Sequence, residues 1–312
     1  MSAIPKILIR IKRERAWLRR FAAREGVDLV ISDNRYGLTA PGIFCVLVTH
    51  QLLIKTPFGH LADELLRRIN YRVIRHFSRC WVPDVEGSPL AGERPAGSGL
   101  AGELSHPSKM PAISMRYIGL LSRFGNLPDA GIDLELLVLL SGPEPQRTLL
   151  EKRILAQAEV CMCELVIVRG LPAGGEKLAG IRPGIVVHDH LPSVELERLI
   201  RRAGFVIARP GYSTVMDLAR LGKRALLIPT PGQSEQEYLG PYLAGKGWAA
   251  WVRQADFSLA EAVEMARGSG GSVAGDVGLA AAALGGAGDV GLAEEITNVL
   301  AEVRQSLRPA LG

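Results

Sequence analysis

Short apolar runs alternate with amphipathic stretches along most of the chain. Between residues 184 and 248, three such runs each lead into a polar cluster that contains glycine or proline. They occupy residues 185–187, 205–208 and 225–229. The stretch from Ser193 to Ala203 places its leucines and isoleucine on one helical face. Apolar strands that alternate with helices predict a parallel sheet covered by helices on both faces.

The same alternation predicts elements elsewhere. Further strands are expected at residues 28–32, 43–48, 79–84, 134–140 and 164–169. Amphipathic helices are expected at residues 4–24 and 292–307. The fold class is therefore α/β.

Ligands bind beyond the carboxyl ends of strands in such sheets, and the polar clusters stand at those ends. Gly211 lets backbone approach a ligand closely. Ser213 and Thr214 open a predicted helix whose N-terminus can hold a phosphate, and Thr214 with Asp217 has capping-box spacing. Asp217 is placed to accept hydrogen bonds from ribose, and Gln236 to bind a sugar hydroxyl. A nucleotide-sugar is one ligand that needs all three features.

At these residues the chain resembles the C-terminal half of family 28 glycosyltransferases, which have the GT-B fold and include the lipid-II-forming N-acetylglucosaminyltransferases. The family pattern is Arg-x-Gly-x-Ser/Thr-x-x-x-Asp/Glu after a strand, then a helix, a strand that ends in Pro, and a loop with Gln. It is matched here by Arg209, Gly211, Ser213 or Thr214, Asp217, Pro229 and Gln236. A plain β-α-β repeat with a glycine turn is the alternative reading.

The resemblance implies a nucleotide-sugar donor site. It implies diphosphate at Gly211 to Thr214 with Arg209 beside it, ribose at Asp217, and the donor sugar near Gln236, with Gln233 in the same loop. The family also places the loop after residues 134–140 against the donor phosphates, which makes Ser141, Gly142 and Arg147 candidates, unless this is a simple strand–helix turn. Val187 and His188 are the candidates for contact with the base.

No metal or other cofactor is predicted. His188-Asp189-His190 offers two histidines and a carboxylate, but no third ligand stands at a spacing typical of a metal site. The nucleotide-sugar would serve as co-substrate.

Polar residues also follow two strands of the N-terminal part. Asp33 and His50 could each act as a general base near neutral pH if partly desolvated. Alternatively, His50 orders its loop through hydrogen bonds. The segments SDNRYG, THQL, CWVPD, AGELSHP, YIGLLSRF and LLSGPEPQR resemble a bacterial subgroup of family 28-like glycosyltransferases, which extends the resemblance over residues 4–250.

The resemblance implies two Rossmann-like domains whose parallel sheets face a cleft. We expect an acceptor-side domain at residues 1–124, a nucleotide-sugar domain at 125–290, and a helix at 291–312 that crosses back to the first domain. The strand and glycine-rich loop that open the family's first domain are missing from the chain, so this domain is expected to be incomplete. A shortened gene, a second chain that supplies the segment, and an inactive enzyme remain open. An unpaired sheet edge would favour a partner or aggregation.

Composition indicates the number of domains and the cellular compartment. The chain has 312 residues with 47% apolar composition, which suits two domains, and its four cysteines form no disulfide framework, which favours the cytoplasm. No apolar run is long enough to span a membrane. An aromatic content of 5% offers few stacking platforms for nucleic acid.

Residues 4–24 carry eight basic side chains, opposed by Glu14 and the adjacent Glu25. Such a helix could bind the anionic inner face of the plasma membrane, or its charges could simply be solvated. We therefore predict inverting transfer of a hexose or hexosamine from a nucleotide-diphosphate sugar, with UDP as carrier, to a hydroxyl of a lipid-linked or saccharide acceptor. A nucleotide-sugar epimerase and a non-catalytic or split donor-binding subunit are the alternatives.

Overall fold

The computed structural model describes residues 3–85, 99–125, 127–128, 131–161, 163–176, 178, 180–268 and 290–307. Its helices are Ala3–Glu25 (α1), His60–Ile74 (α2), Gln146–Ala158 (α3), Ser193–Arg202 (α4), Tyr212–Arg220 (α5), Ser234–Gly245 (α6), Leu259–Ala266 (α7) and Val290–Leu307 (α8). Its strands are Leu29–Asp33 (β1), Phe44–Val48 (β2), Arg79–Val82 (β3), Met115–Tyr117 (β4), Leu134–Leu139 (β5), Leu165–Val168 (β6), Ile185–His188 (β7), Ala203–Ala208 (β8), Ala225–Leu227 (β9) and Ala250–Trp251 (β10).

The chain forms two compact units. The first combines Met1–Leu121 with Gly286–Gly312, and the second is Ser122–Gly285. The C-terminal helix α8 therefore belongs to the first unit, although it follows the second in sequence.

The first unit has a parallel sheet of order β1-β2-β3-β4. Alternate residues of β2 pack into apolar clusters on opposite faces of this sheet. On one face the cluster includes Tyr71 and Ile74 of α2, and on the other it includes Val299 and Val303 of α8. Burial on both faces explains why these strands read as continuous apolar runs. Within the described residues β1 is an edge strand, and its Ile31 is exposed.

The second unit has a parallel sheet of order β10-β9-β8-β5-β6-β7. One apolar cluster joins β5, β6 and β8 to α3 and α7. Buried Val215 and Leu218 of α5 contribute to the core as well. The predicted α/β class with parallel sheets is confirmed in both units.

Three helices, α2, α6 and α7, were not predicted, and two of them have an identifiable reason. The start of α2 exposes Leu61 and Leu65, so its apolar positions do not mark a buried face. The helix α6 contains Pro241, a residue that normally interrupts helices. Most of the Gly/Ala-rich stretch near the predicted boundary at residue 290 lies outside the described residues.

Candidate functional site

The predicted donor residues follow three strands that are neighbours in the second sheet. The strands β9, β8 and β5 lie side by side, with Leu227 in register with Ala208 and Ala208 in register with Leu139. Their carboxyl ends therefore reach the same edge of the sheet. The loops that begin there contain Gly142, Gly211 and the residues that precede α6.

Arg209 ties these loops together. Its side chain is only 1% exposed. Nη1 donates to the carbonyl oxygens of Ile228 and Pro229, at 3.0 Å each, and Nη2 donates to the carbonyl oxygen of Gln146 and to Oε1 of Gln254. Burial lowers the pKa of the guanidinium to about 10. The guanidinium thus points into the protein and its terminal nitrogens donate to protein acceptors, while the contact of Arg209 with a diphosphate stays a prediction.

Thr230 lies in the loop after β9 and borders the loop after β5. Its backbone N–H donates to Oε1 of Gln236 at 2.9 Å, and its carbonyl accepts from the backbone N–H of Gln233 at 3.1 Å. A Cβ on Gly142 would lie 3.3 Å from Oγ1 of Thr230, so a side chain there would crowd the contact. The structure thus brings Gly142, Gln233 and Gln236 together around Thr230, a residue that sequence reasoning missed.

The start of α5 is open where the diphosphate was predicted. Gly211 is the N-cap residue, and no atom lies within 4 Å of the position that a Cβ would take. The first N–H groups of a helix lack intrahelical acceptors and attract anions. The predicted capping box is wrong, because the helix already begins at Tyr212 and shows no side-chain cap. Ser213, exposed, and Thr214, half-buried, therefore lie within the first turn.

Asp217 lies on the same helix and is nearly buried. Its Oδ1 accepts a 2.7 Å hydrogen bond from Oγ of Ser122, and Nε of Arg123 lies 3.5 Å from Oδ2. Burial raises the pKa of this carboxyl, while the contacts with Ser122 and Arg123 lower it in part. The ribose candidate is thus already engaged by the segment that opens the second unit. Nothing in the local sequence pattern could reveal a partner 95 residues away.

The loop after β5 divides into an exposed and a buried part. Ser141 and Gly142 are exposed, whereas Arg147 is buried. Arg147 pairs with Glu144 at 2.6 Å and with Glu151 at 3.3 Å, one on each side of it in sequence. Two carboxylates therefore surround the guanidinium of Arg147, and its contact with donor phosphates stays a prediction.

The base-contact candidates lie farther along the sheet. Val187 and His188, both half-buried, end the edge strand β7, three strand positions from β8 or roughly 14 Å away. The next residue, Asp189, accepts from Nη1 of Arg169 at 2.6 Å and from the backbone N–H of Gly175 at 3.0 Å. These bonds lower the pKa of the Asp189 carboxyl and hold the segment after His188 in place.

The two candidate bases lie at neighbouring strand ends of the first unit. Asp33 is the exposed last residue of β1, in register with Val48 of β2, and half-buried His50 follows two residues after Val48. Oγ1 of Thr49 donates to Oδ1 of Asn34 at 3.0 Å, which joins the two loops. Both candidates are thus held at the same edge of the first sheet.

A buried carboxylate orders the end of β3 and was not predicted. Asp84 is fully buried and accepts hydrogen bonds from the backbone N–H groups of Leu100 and Ala101 and from Oγ of Ser105. Nδ1 of His106 lies 2.8 Å from the same Ser105 hydroxyl. Since these groups satisfy one another inside the protein, we assign them a structural role in the first unit.

Neither a metal-binding cluster nor a membrane-spanning helix occurs among the described residues. No group of three His, Cys, Asp or Glu side chains there could hold a metal ion. No helix in the same residues is both long enough and apolar enough to cross a bilayer.

One segment of the chain matches a known protein family. Residues 191–268 match the glycosyltransferase family 28 C-terminal domain, a segment that runs from α4 to the end of α7. A search of curated proteins gave no significant match.

Solved structures share the fold at low sequence identity. The glycotransferase of kitacinnamycin superposes with a TM-score of 0.56 at 15% identity, over 88% of this chain and 76% of that chain. CalG4, the calicheamicin glycosyltransferase, superposes with a TM-score of 0.55 at 14% identity, over 97% of this chain and 83% of that chain. A protein of Listeria monocytogenes, assigned provisionally as a UDP-N-acetylglucosamine 2-epimerase, superposes with a TM-score of 0.53 at 14% identity. The match covers 96% of this chain and 81% of that chain. At these identities the structural likeness shows the fold alone.

The family match includes the predicted donor-binding loops, which the structural likeness alone does not identify. It covers the loop of Arg209 and Gly211, the helix α5 with Asp217, and the loop of Gln233 and Gln236. Residues 191–268 therefore match a glycosyltransferase family 28 C-terminal domain, within a chain whose fold is that of GT-B glycosyltransferases.

Proposed function

We propose that the chain transfers a hexose or hexosamine from a UDP-sugar to an acceptor hydroxyl, with inversion at the anomeric carbon. The observation that carries the donor site is the open N-terminus of α5 at Gly211, between the loops that hold Gly142 and Gln236. The N–H groups that a helix N-terminus presents would stabilise the diphosphate as it departs. Oε1 of Gln236 is used by Thr230, so its amide nitrogen is the group offered to the donor sugar.

Some of the proposed site residues contact the donor, and others hold the loops of the site in position. Ser141, Gly142, Ser213 and Thr214 face the diphosphate, Asp217 the ribose, and Val187 with His188 the base. Arg209 and Arg147 act indirectly, because each holds a loop in position through buried hydrogen bonds. Asp33 or His50 would accept the proton of the attacking hydroxyl. The reaction needs no cofactor besides the nucleotide-sugar.

The acceptor is proposed to be lipid-linked or a free saccharide. A lipid-linked acceptor requires the protein to reach the inner face of the plasma membrane from the cytoplasm, through the basic helix α1. A second chain that contributes to the first unit would bind at the exposed edge strand β1.

Gly211 offers a sharp test of the donor site. We expect Gly211→Val to weaken UDP binding at least tenfold in calorimetry, because the valine would fill space that the diphosphate needs. The backbone at Gly211 suits valine (φ −70°, ψ 136°), so the fold should tolerate the change. Gly245→Val is the matched control, because a Cβ there also meets no atom within 4 Å. Equal UDP affinity in both variants, or none in the parent protein, would rule out this donor site.

A second assay separates transferase from epimerase. The Listeria monocytogenes neighbour shares this fold, and an epimerase would convert a UDP-sugar in the absence of any acceptor. We expect no sugar interconversion when the chain is incubated with UDP-N-acetylglucosamine alone. Formation of the 2-epimer, detected by nuclear magnetic resonance, would favour the epimerase instead.

A further inference from the structure

Three large apolar side chains protrude from the first unit at the start of α2. Phe58 is 83% exposed, Leu61 86% and Leu65 60%. Leu61 and Leu65 are one helical turn apart, and Phe58 stands in the turn that leads into the helix. We call these three residues the α2 tip. Exposed fractions this high mean that the neighbouring protein covers the side chains very little, so the tip is convex.

The charges beside the tip favour an anionic partner. Glu64 is the carboxylate between Leu61 and Leu65, and it pairs with Arg67 at 2.5 Å and with Arg68 at 3.2 Å. Hydrogen bonds from these arginines hold the pKa of Glu64 at about 2. Asp63 is buried, and its Oδ1 accepts from the backbone N–H of Thr56. Both carboxylates are therefore compensated within the protein.

Cationic side chains continue along the exposed face. Arg68 and Arg72 follow Leu61 and Leu65 at helical spacing and are exposed. Lys109, also exposed, lies close enough to Glu64 to lower its pKa. An apolar projection with cations behind it has the arrangement of a surface that inserts between anionic lipid headgroups.

We propose that the α2 tip inserts into the surface of an anionic bilayer. The proposal deepens the membrane attachment advanced above and rests on it, but assigns the apolar contact to α2 rather than to α1. A convex tip suits a deformable bilayer better than the flat, closely packed face of a protein partner. Exposed apolar side chains grouped in this way mark an interaction surface.

The test is flotation of the full chain with vesicles of phosphatidylcholine and phosphatidylglycerol. The variant carries Phe58→Gln, Leu61→Gln and Leu65→Gln, and we expect it to bind at least tenfold more weakly than the parent. The control carries Ile132→Gln and Val160→Gln in the second unit, at side chains that are 71% and 83% exposed. This control should bind as the parent does.

Two further readouts keep the outcomes distinct. UDP affinity should be the same in all three proteins, so a failed donor site and a failed lipid site are told apart. Phe58→Trp should shift its added tryptophan emission to the blue when vesicles are added. Equal flotation of the triple variant and the parent would overturn the proposal, as would sedimentation showing that the α2 tip instead joins two copies of the chain.

Discussion

Arg209 shows how the side chain of a motif residue can be engaged by distant parts of the protein. The sequence pattern placed Arg209 and Gly211 directly after a strand, and both residues do follow the carboxyl end of β8. Arg209 donates to three carbonyl groups from two distant segments, one at Gln146 and the other at Ile228 and Pro229. A strand–loop–helix pattern predicts where a side chain begins. It does not predict which of several nearby acceptors that side chain will reach, because those acceptors come from other loops.

Asp217 gives a prediction about pH. Burial raises the pKa of its carboxyl, so the folded protein holds this proton at pH values where the unfolded chain has released it. The free energy of unfolding should therefore fall as pH rises from the unfolded pKa through the folded one. Asp217→Asn removes this titration and keeps an oxygen that can accept from Ser122. We expect the variant to gain stability relative to the parent as pH rises across that interval, measured by urea denaturation.

The control for this prediction has the opposite sign. The hydrogen bond from Arg202 lowers the pKa of the exposed Asp133 carboxyl, so Asp133→Asn should lose stability relative to the parent as pH rises. A stability difference for Asp217→Asn that does not change with pH would mean that the buried carboxyl makes no distinct contribution.

At the scale of elements, the strands were the most predictable part. Strands such as β2 and β5 are buried on both faces, so they stand out as apolar runs without needing knowledge of their neighbours. Helices were predicted only where one face is buried. The stretch that forms α2 escaped because its exposed leucines serve no internal packing. The residues that make α2 hard to predict are the same ones that make it a candidate binding surface.

The helix α8 offers a paired test within one element. Val299 is fully buried against the first sheet, whereas the next residue, Leu300, is 40% exposed. Val299→Ala should lower the free energy of unfolding by about 2 kcal/mol, since it leaves a cavity in a packed core. Leu300→Ala should cost less than about 0.5 kcal/mol, as exposed substitutions usually do. Thermal denaturation would measure both, and equal losses would contradict the packing of α8.

At the scale of the whole molecule, the division into units follows contacts rather than sequence order. The sequence predicted a boundary near residue 124, and the structure separates Leu121 from Ser122. Ser122 and Gly125 are bonded to Asp217 and Glu197, so the segment after Leu121 is anchored on the second unit. Such anchoring depends on contacts between residues far apart in sequence, and periodicity carries no information about it.

Helix α1 is the second candidate for membrane attachment, and its structure shows which of its basic side chains could reach an anionic surface. Leu18 is buried and Arg15 is partly covered, with the pKa of Arg15 lowered first by burial and then by Arg19. The other seven basic side chains of the helix are exposed, among them Arg13, Arg19 and Arg20. Basic residues near an anionic surface contribute about 1 kcal/mol each, and salt screens this attraction.

Replacing Arg13, Arg19 and Arg20 with Gln should thus reduce flotation on anionic vesicles at low salt and flatten its salt dependence. A variant with Lys152→Gln, Arg198→Gln and Arg253→Gln loses the same charge from exposed positions of the second unit and should retain both properties. If the two variants respond alike, net charge alone drives binding and α1 has no particular role. The apolar α2 tip predicts a different response, because insertion of Phe58, Leu61 and Leu65 should persist at salt concentrations that screen α1.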